Sequence, residues 1–358
     1  MSKKQPIEIH QLVSSIAYGD GISNGILFIQ KLLRKAGFKS NIYICINYVD
    51  INFKNEVLHI RQYKKNVNNL ILYHHSTGNS YFNFVKNFEA KKIIIYHNIT
   101  PSHFFDGSFY RNKTARGRKQ LADSATCFIG SIGDSEYNCT ELKYYNYSKP
   151  TAIPLLVDLD INIIKKTNNK IQQQNISTFN IIFVGRVTQN KCQQQLIDVM
   201  YWLHIQGQKN IKLFIIGGNF YSDLYQYLFS YRDKLGLTDD IVITGKVNTR
   251  DLYTYYNIAD LYLSLSEHEG FAMPLLEAIK NNTPVLAYAS GAIPTTIGNN
   301  GLLYQKAADK VGEQVLDLKD NPKKRKQLIF EQQKHLENFS CAEIEQKFFT
   351  YLSSQNFI

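Results

Sequence analysis

The segment ADLYLSLSEHEGFAMPLLEAIKNNTPVLAY, Ala259–Tyr288, decides the fold. "ADLYLSLS" alternates as a strand does, and "TPVLAYA" (283–289) reads as a second strand. Between them Ser266 to Phe271 form a loop, and "MPLLEAIKNN" (273–282) has helical spacing. Pro274 suits the first turn of that helix, where the N–H it lacks would be an orphan donor anyway. Strand, loop, helix and strand in this order make a βαβ unit, which calls for parallel pairing. Among the carboxylates of this segment, Glu269 and Glu277 stand eight residues apart, flanking a glycine and a proline. Were the whole stretch helical, they would stand roughly 80° apart around the axis and roughly 12 Å apart along it. That spacing is poor for sharing a proton and good for holding two ends of a long ligand.

Outward from this segment the alternation continues. "FNIIFVGRV" (179–187), "IKLFIIGG" (211–218) and "DIVITGKV" (240–247) read as strands. "NKCQQQLIDVMYWLHIQG" (190–207), "DLYQYLFSYRDKLG" (223–236) and "RDLYTYYNIA" (250–259) read as helices between them. The first half repeats the theme with strands at 40–49, 68–76, 91–99 and 124–132 and a helix at 24–37 ending on Gly37, a natural C-cap. "NSYFNFVKNFEAK" (79–91) places Tyr81, Phe84, Val85 and Phe88 on one face, as a core helix would. The polar, aperiodic 162–179 reads as a surface excursion, and Pro322 opens a polar C-terminal helix. The expected fold class is α/β, with two doubly wound Rossmann-like domains facing across a cleft. The expected bounds are 1–157, joined by a C-terminal helix at 340–358 that crosses back, and 158–339.

Length and composition agree with two globular domains: 358 residues, 44% hydrophobic, with 24 Tyr and 21 Phe. Five scattered cysteines in no CxxC spacing suggest reduced thiols and argue against zinc. No unbroken apolar core of a signal peptide opens the chain, and no run approaches the length of a spanning helix, so a cytoplasmic protein is expected. The net charge of +11 suits an anionic partner such as a nucleotide, an anionic lipid surface or nucleic acid.

The chemistry-bearing residues cluster at predicted strand–helix junctions. In "FVGRVTQNK", Gly185 ends a strand, Arg186 follows and Lys191 opens the helix. Free amides, a positive dipole end and two cations there suit a diphosphate, although no GxxxxGK[ST] is present. In "SSIAYGDGISNG", Gly19, Asp20 and Gly21 would let backbone amides approach an anion. His97, in "IIIYHNITP", stands at a strand's carboxyl end, with His74 and His75 at the end of the preceding strand. Glu269 sits in the loop and Glu277 about one turn into its helix, with the amides of Gly270, Phe271 and Ala272 between. Carboxylates are strong acceptors for sugar hydroxyls. "DLD" at Asp158–Asp160 matches a metal-binding pattern of another fold but falls at the expected domain crossing.

The pattern "GRVTQNK … GKV … ADLYLSLSEHEGFAMPLLEAIKNNTPVLAY" resembles the C-terminal domain of retaining glycosyltransferases of the GT-B fold, family 4, including their E-x7-E motif. "HQLVSSIAYGDGISNGILFIQKLLRKAGFKSNIY", "YHNITPSHFF" and "GDSEYNCTELKYY" look like a bacterial branch that builds surface polysaccharides. The resemblance implies that Glu277 binds the nucleotide ribose and that Glu269, with the amides of Gly270 to Ala272, contacts the donor sugar. It implies that Arg186 and Lys191 hold the diphosphate and that Lys246 and Val247 meet the base. His97 would face the reacting sugar, and the Gly19–Gly21 loop would lie beside the phosphates and acceptor. One departure is Cys192, where many relatives carry glycine after the lysine.

The implied reaction transfers a hexose, with retained configuration, from a nucleoside-diphosphate sugar. GDP-mannose or GDP-D-rhamnose is favoured over a UDP-sugar. The expected acceptor is a glycan or a polyprenyl-diphosphate-linked saccharide, with no metal cofactor because Arg186 and Lys191 supply the positive charge. The basic stretch "RNKTARGRK" (111–119) makes an anionic membrane surface a further candidate partner. A nucleotide-sugar epimerase or a phosphorylase on the same architecture is the rival enzyme reading. A nucleic-acid binder is disfavoured, because no such module is present and the aromatics follow core periodicity.

Overall fold

The computed structural model describes residues 7–17, 21–45, 53, 55–66, 68–105, 107–154, 167–175, 177–218 and 222–358. The chain divides into two compact units, Met1–Leu159 with Asn338–Ile358, and Asp160–Glu337.

The first unit contains strands β1 (Ile9–Val13), β2 (Ile42–Ile44), β3 (Val57–His59), β4 (Leu70–His75), β5 (Lys91–Tyr96), β6 (Gly130–Gly133) and β7 (Thr151–Ala152). They form one sheet in the order β3-β2-β1-β4-β5-β6-β7, and every pairing is parallel. Strand order reverses between β1 and β4, so the crevice at their carboxyl ends is the switch point where such sheets bind ligands. Helices α1 (Gly21–Lys35), α2 (Phe82–Asn87), α3 (Ser108–Ala122) and α4 (Glu136–Tyr144) connect the strands. Helix α1 ends as its sequence demands. Gly37 adopts φ 88°, with Phe38 N–H donating to Leu33 O and Gly37 N–H to Arg34 O, the paired bonds of a glycine C-cap. The C-terminal helix, Cys341–Ser354, sets Ile344, Phe348, Tyr351 and Leu352 into the core with Ile9, Leu72, Ile93 and Ile95.

The second unit contains β8 (Phe179–Val184), β9 (Ile211–Ile216), β10 (Ile241–Gly245), β11 (Leu261–Ser264), β12 (Val285–Tyr288) and β13 (Leu302–Leu303). Their order is β10-β9-β8-β11-β12-β13, again parallel, with the reversal between β8 and β11. Helices α5 (Asn169–Gln174), α6 (Gln193–Ile205), α7 (Ser222–Lys234), α8 (Thr249–Ile258), α9 (Met273–Lys280), α10 (Ile293–Ile297), α11 (Ala308–Asp320) and α12 (Pro322–Leu336) follow in order. Nearly continuous burial of β8 and β9 reflects helices covering both faces.

Several local expectations need correction. The predicted strand at 124–132 begins only at Gly130, because Ser124 to Phe128 turn into a short 3₁₀ segment. Helix α2 spans only Phe82–Asn87 and buries Phe82 and Val85, leaving Phe84 exposed, because Phe88 is already extended. The stretch expected as a surface excursion contains α5. Asn168, which caps it, also binds α8 through Thr254 Oγ1 and Asp251 Oδ1 at 2.9 and 2.8 Å. Of the 40–49 strand, residues 46–49 lie outside the described residues, as do Asp158 and Asp160.

Candidate active site

In the second unit the carboxyl ends of β8, β9 and β10 come together on glycine. Gly185 N–H donates to Ile216 O, Gly217 N–H to Gly245 O and Val187 N–H to Gly218 O. A Cβ on Gly217 would lie 1.9 Å from Gly185 O, so only glycine allows this approach. Gly217 went unnoticed in the sequence, although the pair "GG" ending a strand was the available signal. Arg186 emerges exposed from this junction, and its carbonyl accepts from Gln193 Nε2 at 2.9 Å. Lys246 is exposed and Val247 half-buried at the end of β10, two strands and so about 10 Å from β8.

Lys191 does not open an α-helix. It closes a 3₁₀ turn, Gln189–Lys191, and α6 starts only after Cys192, which adopts the left-handed conformation (φ 54°, ψ 37°). Asn190 fastens this turn to the loop after β11: its side-chain Nδ2 donates to His268 O at 3.0 Å, and its carbonyl accepts from Glu267 N–H at 2.8 Å. The result brings Lys191 Nζ to 2.5 Å from Glu269 Oε1. Glu269 is fixed from the far side as well, its carbonyl accepting from Ala292 N–H at 2.9 Å. A Cβ on Gly291 (φ 54°) would meet that carbonyl at 2.4 Å, so Gly291 is a further constraint that sequence reading passed over.

The loop reaches α9 through Phe271, buried, whose carbonyl accepts from Thr296 Oγ1 at 2.6 Å. Ala272 is the N-cap of α9 and is left-handed (φ 68°). It has no side-chain oxygen to offer, but Pro274 carries no N–H and Leu275 N–H donates to Ala272 O at 3.0 Å, so the first turn is closed by its own backbone, without a side-chain cap. Pro274 stands in that first turn, as its sequence position suggests. Glu277 is half-buried one turn further on, and Tyr256 OH donates to its Oε2 at 2.8 Å. Burial raises the Glu277 carboxyl above its ordinary range, and the Tyr256 hydrogen bond opposes this in part. Tyr256 is a residue the sequence reading had assigned only to helix periodicity.

In the first unit Gly19 and Asp20 lie outside the described residues, and Gly21 begins α1, half-buried. His97 is buried just beyond β5, its Nδ1 2.9 Å from Asp134 Oδ2 and its Nε2 2.8 Å from His74 Nδ1. His74 therefore joins the His97 network. His75 does not: its Nε2 donates to Gly117 O at 3.0 Å, and its ring packs on Phe82 and Tyr73. Asp134, Gln11 and Tyr256 are the polar residues that sequence reasoning missed. Tyr256 lies inside a helix pattern, and Asp134 and Gln11, though they fall within the stretches "GDSEYNCTELKYY" and "HQLVSSIAYGDGISNGILFIQKLLRKAGFKSNIY", stand inside or beside apolar strands with nothing in their spacing to single them out. Among the described residues, no group of three or more His, Cys, Asp or Glu is arranged to hold a metal ion.

Comparison with known proteins accords with this geometry. Residues 164–335 match the family model described as "Glycosyl transferases group 1". The O-antigen biosynthesis glycosyltransferase WbnH of Escherichia coli is 26% identical over 256 residues, which cover 65% of this chain and 71% of WbnH. The crystal structure of Anabaena HepE in complex with UDP and glucose superimposes with a TM-score of 0.75 at 16% identity, covering 98% of this chain and 100% of HepE. WaaG, a glycosyltransferase involved in lipopolysaccharide biosynthesis, gives a TM-score of 0.68 at 13% identity, covering 95% of this chain and 98% of WaaG. The chain thus carries a group 1 glycosyltransferase domain, at residues 164–335, within two parallel-sheet units of the GT-B fold.

Proposed function

We propose that the chain is a retaining, family 4-like hexosyltransferase of O-antigen or capsule-type polysaccharide synthesis. It takes its sugar from a nucleoside-diphosphate donor and passes it to a glycan or polyprenyl-diphosphate-linked acceptor. The observation that carries this reading is the meeting of Lys191 and Glu269, 2.5 Å apart, beside the loop that leads into α9. Arg186 and Lys191 take the diphosphate and neutralise the charge that develops as it leaves. Glu269 and the amides of Gly270 to Ala272 take the donor sugar, and Glu277, held by Tyr256, takes the ribose. Lys246 and Val247 are assigned to the base, His97 to the reacting sugar, and Gly19, Asp20 and Gly21 to the phosphates and acceptor. The two cations replace a divalent ion, so turnover survives chelation. A GDP-sugar remains the first donor choice. The UDP bound by HepE puts UDP-hexoses directly beside it.

Thermal unfolding with GDP, UDP and their sugars tests the donor assignment. The correct nucleotide, present at about 100 times its Kd, stabilises by about 2.7 kcal/mol. Absence of any stabilisation across the panel sinks the reading. Incubating the donor alone separates the epimerase alternative, which would convert it to a new nucleotide sugar without acceptor.

A further inference from the structure

A single hydrogen-bonded chain runs across the carboxyl edge of the first sheet, at its switch point. Gln11 Nε2 donates to Ile26 O at 2.9 Å, and Gln11 Oε1 lies 3.0 Å from His74 Nε2. His74 Nδ1 lies 2.8 Å from His97 Nε2, with the ring planes 9° apart. His97 Nδ1 lies 2.9 and 3.1 Å from the two Asp134 oxygens. All four side chains are buried.

The direction of every bond in this chain follows from its far end. A backbone carbonyl can only accept, so Ile26 O requires the amide nitrogen of Gln11 and turns Gln11 Oε1 towards His74. That oxygen also only accepts, so His74 Nε2 carries the proton. His74 is neutral, because burial pushes its pKa well down. Its Nδ1 is therefore bare and needs a donor, which only His97 Nε2–H provides. At the other end, an ionised Asp134 needs a proton from His97 Nδ1. Reversing the chain to accommodate a neutral His97 beside a carboxylate would set Gln11 Oε1 against Ile26 O, two buried acceptors face to face. The neighbouring groups from β4 and β5 are engaged elsewhere: His75 with Gly117 O, and Tyr96 OH with Glu141 at 2.5 Å.

We infer that the His97–Asp134 pair holds one proton more than a neutral histidine beside a carboxylate would. His97 is then a fixed donor on both ring nitrogens and never a base, and Asp134, His74 and Gln11 are its positioning residues. The catalytic meaning rests on the proposed function: His97 would meet the reacting sugar as a cation, which assists departure of an anionic leaving group and does not deprotonate an acceptor. The proton count does not depend on that reading.

Nitrogen-15 NMR of ring-labelled protein near neutral pH, without substrate, reads the proton count directly. The expected spectrum has His97 protonated at both ring nitrogens and His74 as the Nε2–H tautomer, each assigned by its loss in His97→Gln or His74→Gln. Asp134→Asn removes the counter-charge and supplies an amide N–H to His97 Nδ1, so His97 falls to one N–H, at Nε2, while His74, still tied through Gln11 to Ile26 O, keeps the Nε2–H tautomer. A wild-type His97 with one ring proton, or a wild-type His74 protonated at Nδ1, overturns the inference, whether or not the variants fold. If the variant loses the His97 Nδ1 proton but keeps wild-type kcat, the positioning role falls and the proton count stands. If no nucleotide sugar binds the wild type, the proposed function falls, and the spectrum still decides the proton count.

Discussion

Lys191 Nζ rests 2.5 Å from Glu269 Oε1, although the two residues come from different strand–helix junctions. Both side chains are mostly buried, at 20% and 14% exposure, so the contact is shielded from the screening that weakens surface pairs. A donor diphosphate competes with Glu269 for the same ammonium. Glu269→Ala therefore releases Lys191, and binding of the free nucleoside diphosphate is expected to hold or tighten while turnover falls by about 100-fold or more. Lys191→Ala removes a charged hydrogen bond worth about 1.5–3 kcal/mol and should weaken nucleotide binding roughly 10- to 100-fold. Titration calorimetry on both variants checks the opposition. Equal loss of nucleotide affinity in the two would end the competition argument.

Glu277 links stability to pH in the unusual direction. Its folded pKa is raised, chiefly by burial, so the folded state holds this proton more tightly than the unfolded chain does. Its contribution to stability is fully present below the unfolded glutamate pKa and is lost as pH rises through the folded value. Glu277→Gln removes that dependence. At neutral pH the variant should melt above the wild type, and the gap should close as the solution is acidified through the ordinary glutamate range. The same change should weaken nucleoside binding while sparing inorganic diphosphate, because the ribose loses a charged acceptor. A gap in melting temperature that does not vary with pH would assign the effect to packing.

How much of this was legible in the sequence depended on whether a residue's task left a periodic or local mark. The segment Ala259–Tyr288 fixed strand, loop, helix and strand because its apolar residues change period at Ser266 and Pro274. Gly37 announced its own cap. The 3₁₀ turn at Gln189–Lys191 was not legible, because it is held by Asn190 reaching a loop nearly eighty residues away, and no local propensity encodes such a bond. Tyr256 and Gln11 were hidden for a related reason: each sits in an element that reads as core, and only the folded sheet brings its polar atom to Glu277 or His74. Phe84 misled because the helical face it belongs to ends before it can be covered.

Cys192 departs from the glycine common among the proteins it resembles, and its backbone explains that preference. At φ 54° an L-residue's Cβ crowds its own carbonyl, a cost of about 1–2 kcal/mol. Cys192→Gly is expected to be neutral or stabilising, with the entropy of the unfolded glycine offsetting roughly 0.5–1 kcal/mol of the gain. A β-branched side chain tolerates this conformation worst, so Cys192→Val should destabilise by about 1–3 kcal/mol. Denaturant midpoints for the two variants give the comparison, and equal midpoints would exclude the left-handed turn. Gly217→Ala adds a stricter case. Its Cβ would meet Gly185 O, a backbone atom with no rotamer to escape into, and the expected cost is about 1–3 kcal/mol together with displaced Arg186 and weaker nucleotide binding.

The basic stretch at 111–119 lies on α3, and its cations divide into two groups. Arg111 donates to Phe105 O, Arg116 to Gly78 O, and Arg118 to Glu141 and Ile99 O, so these arginines brace the unit from within. Lys113 stands 6.0 Å from the centroid of Phe109, which is 67% exposed, and Lys119 is exposed. An exposed aromatic beside lysines suits an anionic bilayer surface, where each lysine near the headgroups is worth about 1 kcal/mol. The proposed lipid-linked acceptor gives such contact a purpose. Vesicles rich in anionic lipid should carry the wild type upward in flotation at low salt and release it at high salt. Phe109→Asp with Lys113→Glu should cut the bound fraction about tenfold or more while leaving the melting temperature unchanged, because the bracing arginines remain. Flotation that is absent in the wild type, or indifferent to these two changes, would return α3 to the role of an ordinary surface helix.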